Sequence, residues 1–298
     1  MSGQTAPSME WDAVIVTYEP GNELRDCLDS LTDVRPAPSQ IFVVDNGSTN
    51  GMLEKICSER PGITLIGMGH NAGYAAAANR GIDAGVAPVV AVLNPDITFD
   101  GSVGPILARF PVEPTLGAVG PRINQPDGTR YPSARVIPDI LVAAGHAVAG
   151  SWWPANPWTR RYRQDDMDPD LPGYAEWISG SCLWIRREAL VQIGGWDEGY
   201  FMYMEDVDLG WRLGNANWRV AYEPGVTVTH IGGTATRNAP TRMLIAHHRS
   251  AFRFTAKRYR GARRVLLIPA GVLLLGRAMF KIVAVRAESA FFSRRRRG

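Results

Sequence analysis

Three short runs, Asp12 to Thr17 (DAVIVT), Ile41 to Val44 (IFVV) and Val89 to Leu93 (VVAVL), are almost unbroken in apolar residues, and each stops at a polar turn. Runs this short and this apolar predict strands buried on both faces. Helical patterns lie between them. Asn22 caps a segment carrying Leu24, Leu28 and Leu31, and Asn71 caps an alanine-rich one within His70 to Gly85. Strand alternating with helix dictates an α/β fold whose parallel sheet is covered on both sides. Further strands are expected at Ile63 to Ile66, around Gly117 to Ile123, at Trp177 to Ile185, at Trp218 to Tyr222 and at Val226 to Thr229.

In such sheets ligands sit beyond the carboxyl ends of the strands, where Tyr18, Glu19 and Asp45 fall. After the first strand stands TYEPGN, not the GxGxxG of a nicotinamide site, so that cofactor is not expected. Asp45 suits a pyrimidine, whose N3–H donates well to a carboxylate, and Tyr18 could stack on the ring; alternatively DNGS is simply a turn. Asp96 ends another strand in the stiff turn Asn94-Pro95-Asp96, from which a carboxylate can reach a divalent cation on a diphosphate. Asn79 is a polar group inside the alanine-rich helix. His230, alone after its strand, reads first as structural. The stretch Gly194 to Arg212 (GGWDEGYFMYMEDVDLGWR) sets Glu205 and Asp206 at the end of an aromatic run, where carboxylates acquire unusual proton affinities. At helical spacing Glu205 and Asp208 share a face and Asp206 points elsewhere. Asp206 is therefore assigned the chemistry, the alternative being a favourable helix start.

The 298 residues carry a net charge of +3 that conceals a split. From Arg249 to Gly298 there are 14 Lys/Arg and one acid; the remainder holds 18 basic and 28 acidic residues. Three unpaired cysteines (Cys27, Cys57, Cys182) argue against a disulfide framework and for a reducing compartment. Residues 1–11 read as a disordered lead-in without signal-peptide character. Val265 to Gly276 is too short to cross a bilayer, which takes about 20 residues. Ser151 to Glu176, rich in Trp, Arg, Asp and Pro, reads as a long surface loop able to fold over a ligand.

The ordered pieces VIVTYE, VVDNGSTN, NAGYAAAANRG, LNPD, SGSCLWIRREAL, GGWDEGYFMYMEDVDLGWR and VTHIGG resemble the family 2 inverting glycosyltransferases, in particular bacterial rhamnosyltransferases. The resemblance spans Asp12 to Gly233. It implies a GT-A fold with a mixed, mostly parallel sheet flanked by helices. Residues 12–120 would form the nucleotide-sugar-binding half, 121–240 the acceptor-binding half, and 241–298 a basic helical extension. It also implies a dTDP-sugar donor, dTDP-L-rhamnose, and an acceptor N-acetylglucosamine on a polyprenyl diphosphate, as in the arabinogalactan linkage unit of a cell wall. Another donor sugar, galactofuranosyl or hexosyl, is the runner-up.

By the same resemblance Thr17, Tyr18, Glu19, Asp45, Asn71, Gly73, Asn79, Asn94 and Asp96 contact the donor. Asp96 and His230 hold Mg2+ or Mn2+, Asn94 replaces the first acid of the usual DxD, and Asp206, with Glu205 beside it, is the catalytic base. Trp196 and Asp197 contact the acceptor or serve as core and cap. A polyprenyl acceptor implies an anionic membrane surface as partner and a peripheral position on the cytoplasmic face of the plasma membrane. The tail supplies Arg253, Lys257, Arg260 and Arg264 at helical spacing, then apolar residues flanked by Arg277, Lys281 and Arg286. Basic residues around apolar ones favour lipid, so no nucleic acid is expected as partner, despite Arg294 to Arg297. A non-catalytic sugar-binding relative would tolerate loss of Asp96 or Asp206, and both are present. Homo-oligomerisation is left open.

Overall fold

The computed structural model describes residues 9–150, 152–232 and 240–295. Most of the expected lead-in, and Arg296 and Arg297, lie outside them, as do the side chains of Arg286, Arg294 and Arg295. The first half runs β1 (Trp11–Thr17), α1 (Glu23–Asp33), β2 (Gln40–Asp45), α2 (Met52–Ser58), β3 (Ile63–Gly67), α3 (Tyr74–Ile82), β4 (Val89–Leu93), β5 (Ile97–Phe99), α4 (Gly104–Val112) and β6 (Leu116–Asn124). Then come β7 (Arg130–Tyr131), β8 (Ala134–Arg135), α5 (Ile140–Ala149), α6 (Pro157–Arg163), β9 (Gly173–Ala175), β10 (Trp177–Ile178), β11 (Cys182–Arg186), α7 (Arg187–Ile193), α8 (Glu205–Asn215) and β12 (Arg219–His230). The chain closes with α9 (Pro240–Arg258), a 3-10 turn and α10 (Leu267–Arg295).

The main sheet has the order β3-β2-β1-β4-β11-β6-β12-β5, with β7 on β6 and β9 on β12. Strands β3, β2, β1 and β4 are parallel, β11 runs antiparallel between β4 and β6, and β12 is parallel to β6. All of β1 is buried. Its alternate residues feed two cores, Ala13 and Ile15 packing with Leu24, Leu28 and Leu31 of α1, Val14 and Val16 with Ala75, Ala77 and Ala78 of α3. Small side chains let α3 lie close: a Cβ at Gly81 would stand 2.3 Å from a Val14 methyl. Asp12 is buried at the start of β1, accepting from the Ala87 N–H at 2.9 Å and from Arg187 at 3.2 Å.

Some elements differ from expectation. Trp177 to Ile185 is two strands, because Ser179-Gly180-Ser181 leaves the sheet between β10 and β11. The two strands expected after Trp218 are one, β12, with a bulge that absorbs Pro224 and Gly225. The loop expected over Ser151 to Glu176 contains α6, capped by the buried Asn156, which accepts from the Thr159 N–H, and also β9. Beyond the sheet, Trp177, Tyr200, Val207 and Phe254 of α9 form a third cluster.

Candidate active site

β1 and β2 end side by side, Thr17 opposite Asp45. Thr17 is buried and its hydroxyl has no partner among the described residues. One Asp45 oxygen closes the following turn by accepting the Ser48 N–H at 2.8 Å. Glu19, in the left-handed region (φ 50°), donates its N–H to Ser48 Oγ, and its carboxylate takes both Thr49 donors. The Glu19 side chain thus fastens one loop to the other. Tyr18 stands exposed beside it. Behind this edge, buried Asn46 donates to Asn71 Oδ1 at 3.1 Å and accepts the Ala72 N–H at 2.9 Å. Asn71 also accepts the Gly73 N–H. Asn71 is therefore not the cap of α3. Gly73 occupies that position at φ 96°, where a Cβ would meet the Phe201 carbonyl at 2.6 Å. The Tyr74 N–H donates to that carbonyl at 3.0 Å.

At the end of β4, Asn94 Nδ2 lies 3.3 Å from His230 Nε2, and the same nitrogen is 3.1 Å from Asp96 Oδ1. Asp96 is buried, and its other oxygen accepts the Gly232 N–H at 2.9 Å. Burial alone would raise this carboxyl, but the hydrogen bond and charge of His230, with the Gly232 N–H, outweigh it and hold Asp96 below the usual range. His230 reaches this place because β12 pairs with β5, His230 opposite Ile97. Among the described residues no three His, Cys, Asp or Glu side chains gather as a metal cage. One ionised carboxylate and one imidazole fit instead a cation that draws its other ligands from phosphate oxygens and water.

The third part is the start of α8. Tyr203 and Met204 both adopt left-handed backbone (φ 68° and 67°), turning the chain sharply so that three acids diverge from one helical turn. Asp208 is fully buried and paired with Arg212 at 2.6 Å and Lys257 at 2.7 Å. Glu205 is buried, its Oε2 has no partner among the described residues, and burial, then the adjacent Asp206 charge, raise its pKa. Asp206 accepts the Gly180 N–H at 3.1 Å and the Val207 N–H at 2.8 Å. Burial raises it too, against those two hydrogen bonds and the charge of Arg135.

Gly180 and Ser181 join the parts. The Gly180 N–H holds Asp206, while the Ser181 carbonyl accepts the Asn94 N–H at 2.8 Å. Asp206 and the Asn94-Pro95-Asp96 turn are therefore tied to consecutive residues of one bend. Tyr74 OH donates to the Gly180 carbonyl at 2.8 Å, and the Trp196 ring packs beneath Gly180.

Of Asn79, Trp196 and Asp197, the Trp196 ring reaches this edge under Gly180, and the other two are engaged elsewhere. Asn79 clamps the Trp196 backbone, accepting its N–H at 2.9 Å and donating to its carbonyl at 3.0 Å. Trp196 is buried. The Asp197 carboxylate is occupied by Arg253 and by Lys257 at 2.7 Å, which overcome its burial and hold it down at about 2. Sequence reasoning missed Asn46, Tyr74, Gly180 and Arg135. Gly180 lies in the SGSCLWI motif that carried the resemblance, but a backbone N–H leaves no signal in a side-chain pattern.

The sequence model of the family described as glycosyl transferase family 2 matches residues 12–194, which stops short of Asp206 and His230. The N-acetylglucosaminyl-diphospho-decaprenol L-rhamnosyltransferase of Mycobacterium tuberculosis is 44% identical over 260 residues, 83% of this chain and 84% of that one. Among solved structures, GalNAc-T7 with UDP, GalNAc and Mn2+ superposes with a TM-score of 0.57 at 16% identity, over 76% of this chain and 44% of that one. The mannosyltransferase PcManGT of Pyrobaculum calidifontis, with GDP-Man and Mn2+, gives 0.56 at 15% identity, over 93% of this chain and 75% of that one. At these identities the two structures speak for the fold.

Proposed function

Because the chain belongs to glycosyl transferase family 2, we propose that it moves L-rhamnose from dTDP-L-rhamnose to N-acetylglucosamine on a polyprenyl diphosphate, inverting the anomeric carbon. One observation carries the reading: the bend at Gly180-Ser181 ties Asp206 to the turn that bears Asp96. An acceptor hydroxyl is a poor nucleophile at neutral pH, and Asp206, aimed by two backbone N–H groups, removes its proton as it attacks. Asp45, with one oxygen left over from its turn, reads pyrimidine N3–H, and Tyr18 stacks on the ring. Asp96 and His230 would hold Mg2+ or Mn2+, which stabilises charge on the departing diphosphate.

The test is incubation with labelled nucleotide sugars and a membrane lipid extract. Labelled rhamnosyl lipid from dTDP-rhamnose, lost in Asp206→Asn, supports the reading; label only from a galactofuranosyl or hexosyl donor replaces rhamnose with the runner-up. EDTA and Asp96→Ala should each abolish turnover. In thermal shift, dTDP and UDP should stabilise the protein and GDP should not.

The lipid acceptor requires work at a membrane surface. Among the described residues no helix is long and apolar enough to cross a membrane. α10 does expose Ile268, Val272, Leu275 and Met279 at helical spacing, with Arg263, Arg264 and Lys281 exposed nearby. This face supports peripheral attachment to anionic lipid. Of the cations of α9, Lys257 is taken up by Asp197 and Asp208, while Arg253 pairs with Asp197 and stays exposed. A chain ending at Arg260 keeps α9, and it should lose salt-sensitive binding to anionic vesicles that the full chain shows. Equal sedimentation of the two would end this part of the proposal.

A further inference from the structure

Arg135 ends β8, paired in register with Trp177 of β10. Its guanidinium lies within a cage of rings, with Cζ 5.1 Å from the centroid of Tyr131, 5.4 Å from Tyr162 and 5.0 Å from Trp177. Nε donates to the Pro132 carbonyl at 2.7 Å and Nη1 to Tyr162 OH at 3.2 Å, which fixes the plane of the group. Nη2 has no hydrogen bond to the described residues. No described carboxylate forms an ion pair with Arg135, and the acid whose charge reaches it is Asp206. Ring faces stabilise a cation without neutralising it.

A second cation, Arg277, with no ion pair among the described residues, lies on α10, which packs against α5, the helix that carries His146. Tyr162 stacks on His146 with centroids 4.7 Å apart, and the charges of Arg163, Arg277 and Arg135 all act on that histidine. Arg277 is partly buried on an otherwise apolar stretch of α10, and its charge also reaches His247, whose ring meets Tyr203 beside Glu205. A planar guanidinium held in place, with donors unspent and cations around it, matches two phosphoryl groups far better than a neutral sugar.

We propose that Arg135, with Arg277 near the same histidine, forms an anion site on the acceptor side of Asp206 that takes the diphosphate linking acceptor sugar to lipid. The inference rests on the acceptor reading above and adds a recognition element to it. Arg135 then selects lipid-diphosphate acceptors over free or alkyl-linked sugars, and it places the sugar hydroxyl against Asp206.

The test uses the full chain saturated with dTDP, and calorimetric binding of farnesyl diphosphate with farnesol as control. Arg135→Gln should weaken farnesyl diphosphate by about ten-fold or more, as loss of a charge-assisted contact does, leave farnesol unchanged, and be partly restored in Arg135→Lys. Arg277→Gln, on the outer helix, should show a smaller loss in the same direction and decides the matter should Arg135→Gln fail to fold. In turnover, the acceptor KM for the lipid-linked diphosphosugar should rise about ten-fold with the donor KM unchanged. Unaltered binding in both glutamine variants overturns the proposal. So does a rise in donor KM, or a displaced acid limb of kcat with acceptor KM unchanged, which would make Arg135 a support for Asp206. Failure of the wild type to glycosylate the lipid-linked diphosphosugar, with farnesyl diphosphate still bound through Arg135, would refute the acceptor reading and leave the anion site standing.

Discussion

Two neighbouring carboxyls, Glu205 and Asp206, hold their protons differently because their surroundings differ. Glu205 has an oxygen with no described partner and is raised by burial and by Asp206, so it holds its proton into neutral pH. Asp206 has two N–H donors that favour its ionised form. Asp206→Asn should fold normally and lose at least about 10²-fold in kcat, the lower range for a positioned general base; a wild-type rate would shift attention to Glu205. Glu205→Gln mimics the protonated neighbour and removes the coupling. Because Glu205 is already uncharged where Asp206 gives up its proton, the acid limb of kcat/KM should stay in place. Stability, by contrast, should change with pH. The folded Glu205 pKa is raised above its unfolded value of 4.5, so its protonated form supports the fold at low pH and that support is lost as pH climbs through the folded pKa. The Tm advantage of Glu205→Gln over wild type should therefore grow as pH rises above about 4.5, and a difference that stayed flat with pH would contradict the assignment.

The helix and strand elements were legible wherever burial imposes a pattern. DAVIVT and VVAVL could only be central strands, and the Asn94-Pro95-Asp96 turn announced itself by following one. The insertion of β11 antiparallel between β4 and β6 was not legible, since no local property of CLWIR says which strands it will separate. As a cap, Asn71 was misplaced by two residues: a side chain that caps and one that ties the preceding turn look alike in sequence, and only Gly73 at positive φ distinguishes them. Arg135 carried no signal at all, because its cage is assembled from β7, α6 and β10. The close approach of Gly73 to Phe201 sets an element-scale expectation. Gly73→Ala should cost about 1–3 kcal/mol of stability from the strained φ, with further loss as Phe201 is displaced, measured by urea unfolding.

Across the whole molecule, α9 is bound to the start of α8 and the segment before it by charge as well as by Phe254. Arg253 and Lys257 grip Asp197, and Lys257 reaches Asp208 under Tyr200. With the Asp197 pKa depressed from 3.8 to about 2, its stabilisation is complete above the unfolded value and disappears as pH falls through the folded one. Lys257→Met should lower stability at neutral pH, and part of the wild type's loss between pH 4 and pH 2 should be missing from it in acid denaturation curves. The bend at Gly180-Ser181 has a consequence for anyone recombining such enzymes. A chimera cut near residue 120 would import β11 from the second parent into the middle of the first parent's sheet. It would also import the peptide that spaces Asp206 from the Asn94 turn. Exchangeable parts in this architecture are therefore not successive lengths of chain, and a graft that keeps its activity must carry the segment 178–186 with the parent that supplies β4.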